Sequence, residues 1–359
     1  MRRAIALLLA LMLLLSACGS DSDRSRDDDD RQTNREKPVE EFRLLDDSGS
    51  NSLYYYNYTR DYKFNKFLRS GGAEDTEELV EHCLDIFPDM ELDLNNLGYG
   101  CSSYCAIGKN GDVYFGRNFD NDARLIGDYM IVHTTPRQGY ESYSTVSLGF
   151  LGVKDVADPV DDDTSPLLMA PYVPLDGINS EGLAICILQL NTKPVDGDTG
   201  SKVDMTPTTI IRNVLDNAAD LYEALEIFDD CNFYTEGYAY HFMIADADGN
   251  CAVVEYVDDE MVVVHMEDDL LVCANVHVSR EGRKFYRVKD GNESDTRVNA
   301  ITRGIEDADF KLNAKSAMEA LAKAHVYTNR WSIVYNLTDC EMFMTINRKL
   351  DPVYELNFD

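Results

Sequence analysis

The first hydrophobic run of the chain is unbroken: after Met1, Arg2 and Arg3, every residue from Ala4 to Leu15 is apolar. As a helix this run would rise about 18 Å, short of the ~30 Å hydrocarbon core of a bilayer. It therefore predicts the apolar stretch of a signal peptide over residues 1–17, not a membrane span. Residues 19–38 carry no large apolar side chain and include Asp27-Asp28-Asp29-Asp30. With so little surface to bury they cannot offset their ordering entropy, which predicts a disordered acidic tether over 18–40.

Periodic patterns begin further on. Leu79, Val80, Cys83, Leu84 and Phe87 recur at helical spacing behind the acidic start Asp75-Thr76-Glu77-Glu78, and Pro88 ends the run. Ser102 to Ile107 and Asp112 to Phe115 flank Asn110-Gly111, the signature of a tight hairpin. Met130 to His133, Leu183 to Leu190, Tyr240 to Ala245, Ala252 to Val257 and Met261 to His265 read as further strands. Thr208 to Asp216, Ala219 to Asp229 and Ser316 to Ala324 read as helices, Pro159 to Pro166 as an acidic surface loop, and Ser332 to Asn336 with Glu341 to Ile346 as a closing hairpin. Strands in runs, then helices, then strands predict layered α+β packing, not a doubly wound parallel sheet. The roughly 319 residues from Glu41 onward suffice for one large domain.

Composition narrows the partners. The formal net charge is −32, and no basic run follows Arg35, so nucleic acid and anionic headgroups are poor partners for this surface. Nine cysteines occur without a CxxC pair, which argues against a zinc ribbon or a thioredoxin motif; no metal and no cofactor is expected. Leu15-Ser16-Ala17-Cys18 resembles a bacterial lipobox. That resemblance implies diacylation of Cys18 and an exported protein held on the bacterial cell membrane, outside the cytoplasm.

The stretch that bears chemistry is Gly100-Cys101-Ser102-Ser103-Tyr104-Cys105, followed across the hairpin by Gly116-Arg117-Asn118-Phe119-Asp120. Hairpin pairing would bring Arg117 and Asp120 beside Cys101. A guanidinium there favours thiolate over thiol, and a carboxylate can hold an ammonium. With Arg117 sixteen positions after Cys101, these residues resemble the choloylglycine hydrolases and related linear-amide hydrolases of the N-terminal nucleophile superfamily. The likeness continues in order through Asp176-Gly177-Ile178-Asn179-Ser180-Glu181-Gly182-Leu183, His241 to Asp246 with Gly249 and Val253-Val254-Glu255, Val272-Cys273-Ala274-Asn275, Asp295-Thr296-Arg297, and Trp331 to Tyr335.

What the resemblance implies is specific. The fold would be a four-layer αββα sandwich of two antiparallel sheets flanked by helices. Residues 41–100 would form a propeptide or light chain and 101–359 the hydrolase domain. Breakage of the Gly100–Cys101 bond would free an α-amine, whose reference pKa of about 7.7–8.0 suits it to take the Cys101 thiol proton. Asp120 would hold that amine, Arg117 would sit by the thiol, Asn275 would donate to the oxyanion, and Arg297 would complete the polar shell. Gln189 stands where better-known branches of the family carry Asn or Tyr, and it keeps an amide donor. The substrate would be a small N-acyl amide of bile salt, penicillin V or N-acyl amine type. A homo-oligomer is compatible with this reading. Three alternatives stay open: a papain-like protease pairing Cys101 with His277, a surface lipoprotein of the same fold that binds a ligand without turnover, and acyl transfer to an amine acceptor.

Overall fold

Chain segments with alternating or continuous apolar character assemble into two large sheets. The computed structural model describes residues 41–49, 51–88, 100–121, 127–153, 165–198 and 200–358. The expected signal peptide, Cys18, the tether and most of the 159–166 loop lie outside the described residues.

The first sheet has nine strands, in the order β1 (Glu41–Asp46), β2 (Leu53–Tyr58), β5 (Tyr129–Thr134), β6 (Ser142–Ser147), β7 (Asp176–Asn179), β8 (Ala184–Leu190), β11 (Ala239–Ala245), β12 (Cys251–Val257) and β13 (Glu260–His265). Its neighbours are antiparallel except β2 and β5, which run parallel. The second sheet is antiparallel throughout: β14 (Leu270–Ala274), β3 (Gly100–Ile107), β4 (Val113–Asp120), β15 (Asn329–Asn336), β16 (Glu341–Ile346) and β17 (Tyr354–Asn357). Short parallel strands β9 (Val203–Met205) and β10 (Cys231–Phe233) pair apart from both.

The sheets face each other, and helices close the outer sides. Every residue of β4 is buried, which a strand achieves only when covered on both faces. One face meets the inter-sheet core, where Phe119 stacks on Trp331 with ring centroids 3.9 Å apart. The other lies under α6 (Glu293–Asp307) and α7 (Ala314–Ala322). There Asn118 donates to the Leu321 carbonyl at 3.0 Å, and Tyr104 to that of Ala317 at 3.1 Å. On the nine-stranded sheet the outer layer is α3 (Pro207–Asn217) and α4 (Leu221–Asp229). The short α5 (Arg280–Phe285) follows β14. The fold is thus the αββα sandwich of the N-terminal nucleophile hydrolases.

The segment before Cys101 is built into this framework. Tyr56 and Tyr58 of β2 are buried, and β2 holds register with β5 from Leu53↔Tyr129 to Tyr58↔Thr134. After it, α1 (Phe64–Ser70) and α2 (Thr76–Ile86) pack around Tyr172 through Phe64, Phe67 and His82. The helix expected from the 79–87 periodicity is α2; its start is capped by Asp75, which accepts from the Glu78 amide. All eight cysteines among the described residues are free thiols.

Candidate active site

Cys101 enters the structure as the second residue of β3, paired with Phe119, while Gly100 faces Asp120 and Ser103 faces Arg117. The Asn-Gly hairpin therefore sets the register that delivers the two charged residues to the cysteine. Side chains alternate across a strand, and the Cys101 thiol is fully buried between the sheets. There Arg117 Nη2 donates to Cys101 Sγ at 3.3 Å and to the Ile187 carbonyl at 3.0 Å.

Arg117 is itself fully buried, and a lone buried cation would be untenable. Asp176, at the head of β7, pairs with its Nη1 and also accepts from Tyr335 Oη at 2.8 Å. Burial opposes the charge on Arg117, yet the Cys101 thiol and the Asp176 carboxylate raise its pKa and keep it protonated. Asp176 and Tyr335 lie in motifs legible in the sequence, but nothing there assigned them a role. Their partner is on a different sheet or strand, so only the assembled sandwich shows the link.

A second polar cluster surrounds the main chain of Cys101. Its amide donates to Asn275 Oδ1 at 2.8 Å. Arg297, on the buried side of α6, donates through Nη1 to the Cys101 carbonyl at 2.6 Å and to Asp120 Oδ2 at 3.2 Å, and through Nη2 to Asn275 Oδ1 at 2.8 Å. Asn275 Nδ2 donates to the Gln189 carbonyl at 2.8 Å, which commits one of its two amide protons. Gln189 meets Asn275 through its main chain, while its side-chain amide turns to Asn191 at 3.1 Å. All six expected site residues thus converge on Cys101 or on each other.

Electrostatics in this uncut chain keep the thiol protonated. Burial pushes the Cys101 thiol up to about 11, outweighing the nearby Arg117 cation. Burial likewise raises the Asp120 carboxyl to about 6 against the pull of Arg297. Asp120 Oδ1 is buried and makes no well-formed hydrogen bond.

The turn bearing Asn275 is held from below. Glu255, buried on β12, accepts from the Val278 amide at 2.8 Å and the Ser279 amide at 3.1 Å, and also takes the Ser279 hydroxyl. His277 Nδ1 lies 3.2 Å from Glu255 Oε1, and the ring stacks on Tyr286 at 4.5 Å. Burial alone would raise the Glu255 carboxyl, but its contacts to His241 and His277 hold it well below the usual range. The side chain hydrogen-bonded to the Cys101 thiol is Arg117 and not His277, which leaves a Cys-His protease pair without support. Beside Gly100 and Asp120 a cavity of about 520 Å³ opens, reaching Gln189, Asn275 and Arg297.

Residues 101–277 match the linear amide C-N hydrolases, choloylglycine hydrolase family. No curated protein sequence matches the chain. Among solved structures, penicillin V acylase from Agrobacterium tumefaciens is similar with a TM-score of 0.52 and 17% identity, over 72% of this chain and 86% of that one. A mutant of conjugated bile acid hydrolase from Clostridium perfringens is similar with a TM-score of 0.52 and 13% identity, over 72% and 92%. At these identities the overlays speak for the fold, and the family match speaks for the chemistry. Residues 101–277 are thus similar to the choloylglycine hydrolase family, and the chain is a hydrolase of carbon–nitrogen bonds, other than peptide bonds, in linear amides.

Proposed function

We propose that the chain cuts itself between Gly100 and Cys101 and then hydrolyses an N-acyl amide through a thioester on Cys101. In the first event the thiol adds to the Gly100 carbonyl carbon, the carbon–nitrogen bond breaks as the acyl group moves to sulfur, and water releases a Gly100 carboxylate. Cys101 is left with a thiol and an α-amine. The amine takes the thiol proton, sulfur attacks the substrate carbonyl, and the same proton passes to the departing amine. Water then hydrolyses the thioester. The observation that carries the reading is the double hold on Cys101: Arg117 at its sulfur, and Asn275 with Arg297 along its main chain. The unfilled acceptor Asp120 Oδ1 supports a role in holding the new ammonium. Intact mass of purified protein tests it: a polypeptide beginning at Cys101 is expected in the wild type and absent in Cys101→Ala. An unbroken chain that still hydrolyses amides refutes the mechanism.

For location, we infer acylation at Cys18 and tethering to the outer side of the cell membrane, supported by the Leu15-Ser16-Ala17-Cys18 segment behind an apolar run. Cys18→Ala should move the protein from the membrane fraction to the soluble one; retention in the membrane contradicts the anchor.

A further inference from the structure

The walls of the cavity beside Gly100 point to a substrate class. Five of its described lining side chains are carboxamides: Asn121, Gln189, Asn191, Asn275 and Asn292. Ser294 and Thr328 add hydroxyls, and the only apolar side chains in the described lining are Val276 and Val326. Pockets for apolar ligands are walled mainly by aliphatic and aromatic groups. An acyl chain or a steroid pressed against this wall would strip water from amide groups and offer them no hydrogen bond in return. A ligand with its own hydroxyl, amine or amide groups replaces that water.

Charge narrows the class further. Asp120, Glu293 and Arg297 are the ionisable side chains of the described lining; with all three charged, the cavity of the unprocessed chain carries one net negative charge. It sits in a chain of net charge −32, and like-charged ligands are repelled on approach. The one cation, Arg297, already spends its two Nη groups on Cys101, Asp120, Asn275 and Ser294. Its remaining donor, Nε, makes no hydrogen bond but is buried, so Arg297 exposes no free donor to a carboxylate or sulfonate on the substrate.

We infer that the enzyme acts on hydrophilic, uncharged or cationic N-acyl amines with a short or polar acyl group, and disfavours amides that carry a long apolar acyl group or an anionic amine portion. This inference rests on the hydrolase reading of Cys101. The test therefore measures two things on the same self-processed protein. A thiol-directed acylating probe reports whether Cys101 is a working nucleophile. Release of free amine then gives kcat/KM for N-acetylputrescine and N-acetylethanolamine against decanoylglycine, a glycine-conjugated bile salt and penicillin V. The expected result is labelling of Cys101 and at least a tenfold preference for the first pair. Labelling with an equal or greater rate on any of the last three overturns the substrate class and leaves the nucleophile in place. Labelling with no cleavage of the hydrophilic pair overturns it as well. Absence of labelling removes the nucleophile itself, and the inference falls with it.

Discussion

Asp120 carries two pH dependences of opposite sign. Its proton is held to about pH 6 in the folded chain, whereas a free carboxyl loses it near 4. The group therefore favours the folded state at low pH, and that contribution is lost as pH rises through about 6. Holding an ammonium needs the ionised form, so catalysis should gain where this contribution to stability is lost. The new ammonium beside Asp120 favours its ionised form, so the kcat/KM of processed enzyme is expected to rise with pH through an apparent value at or below about 6, and a profile flat from pH 4 to 7 would remove Asp120 from the amine site. The buried Cys101 thiol, pushed up to about 11 before cleavage, has at pH 8 only about one part in a thousand as thiolate on that value. An internal base is thus a requirement of the site.

Among elements, the hairpin β3–β4 illustrates what the chain discloses locally. Asn110-Gly111 fixed the turn, and with it the facing of Ser103 to Arg117 and of Gly100 to Asp120; these contacts depend on short sequence separation and a period of two. Strand β4 nevertheless runs to Asp120 rather than ending at Phe115, because burial on both faces erases the alternation that marks a strand's end. The same cause hid β6, whose Ser142–Ser147 sequence is rich in hydroxyls although every residue is buried. Glu255 was visible as a motif residue, but its hold on the 275–279 turn joins β12 to a loop on the other sheet. No pattern within either segment signals that. Removing it should leave the Val278 and Ser279 amides unsatisfied in the interior. Glu255→Ala is expected to cost about 3–5 kcal/mol in urea unfolding and to lower kcat more than it raises KM, since Asn275 loses its support. Unchanged kcat in a destabilised variant would confine Glu255 to the fold.

At the scale of the whole molecule, the residues before the proposed cut belong to the core. Tyr56, Tyr58, Tyr62, Phe64, Phe67 and Leu79 are all buried. At about 1.5–3 kcal/mol for each large side chain these six amount to a gross 9–18 kcal/mol, comparable with the ~12 kcal/mol of a nanomolar complex. The upstream piece is accordingly expected to co-elute with the 101–359 piece in native gel filtration, while denaturing mass analysis resolves two polypeptides. Elution of the larger piece alone would mark residues 41–100 as a released propeptide.

The parallel pairing of β2 with β5 carries a consequence for renaturation. While the chain is whole, these strands find each other by closing a loop, at a rate independent of dilution. If the backbone is severed as proposed, the same sheet can re-form only by collision of two molecules, and recovery from heat or urea becomes second order in protein concentration. Maturation would thus turn an intramolecular pairing into one that dilution opposes.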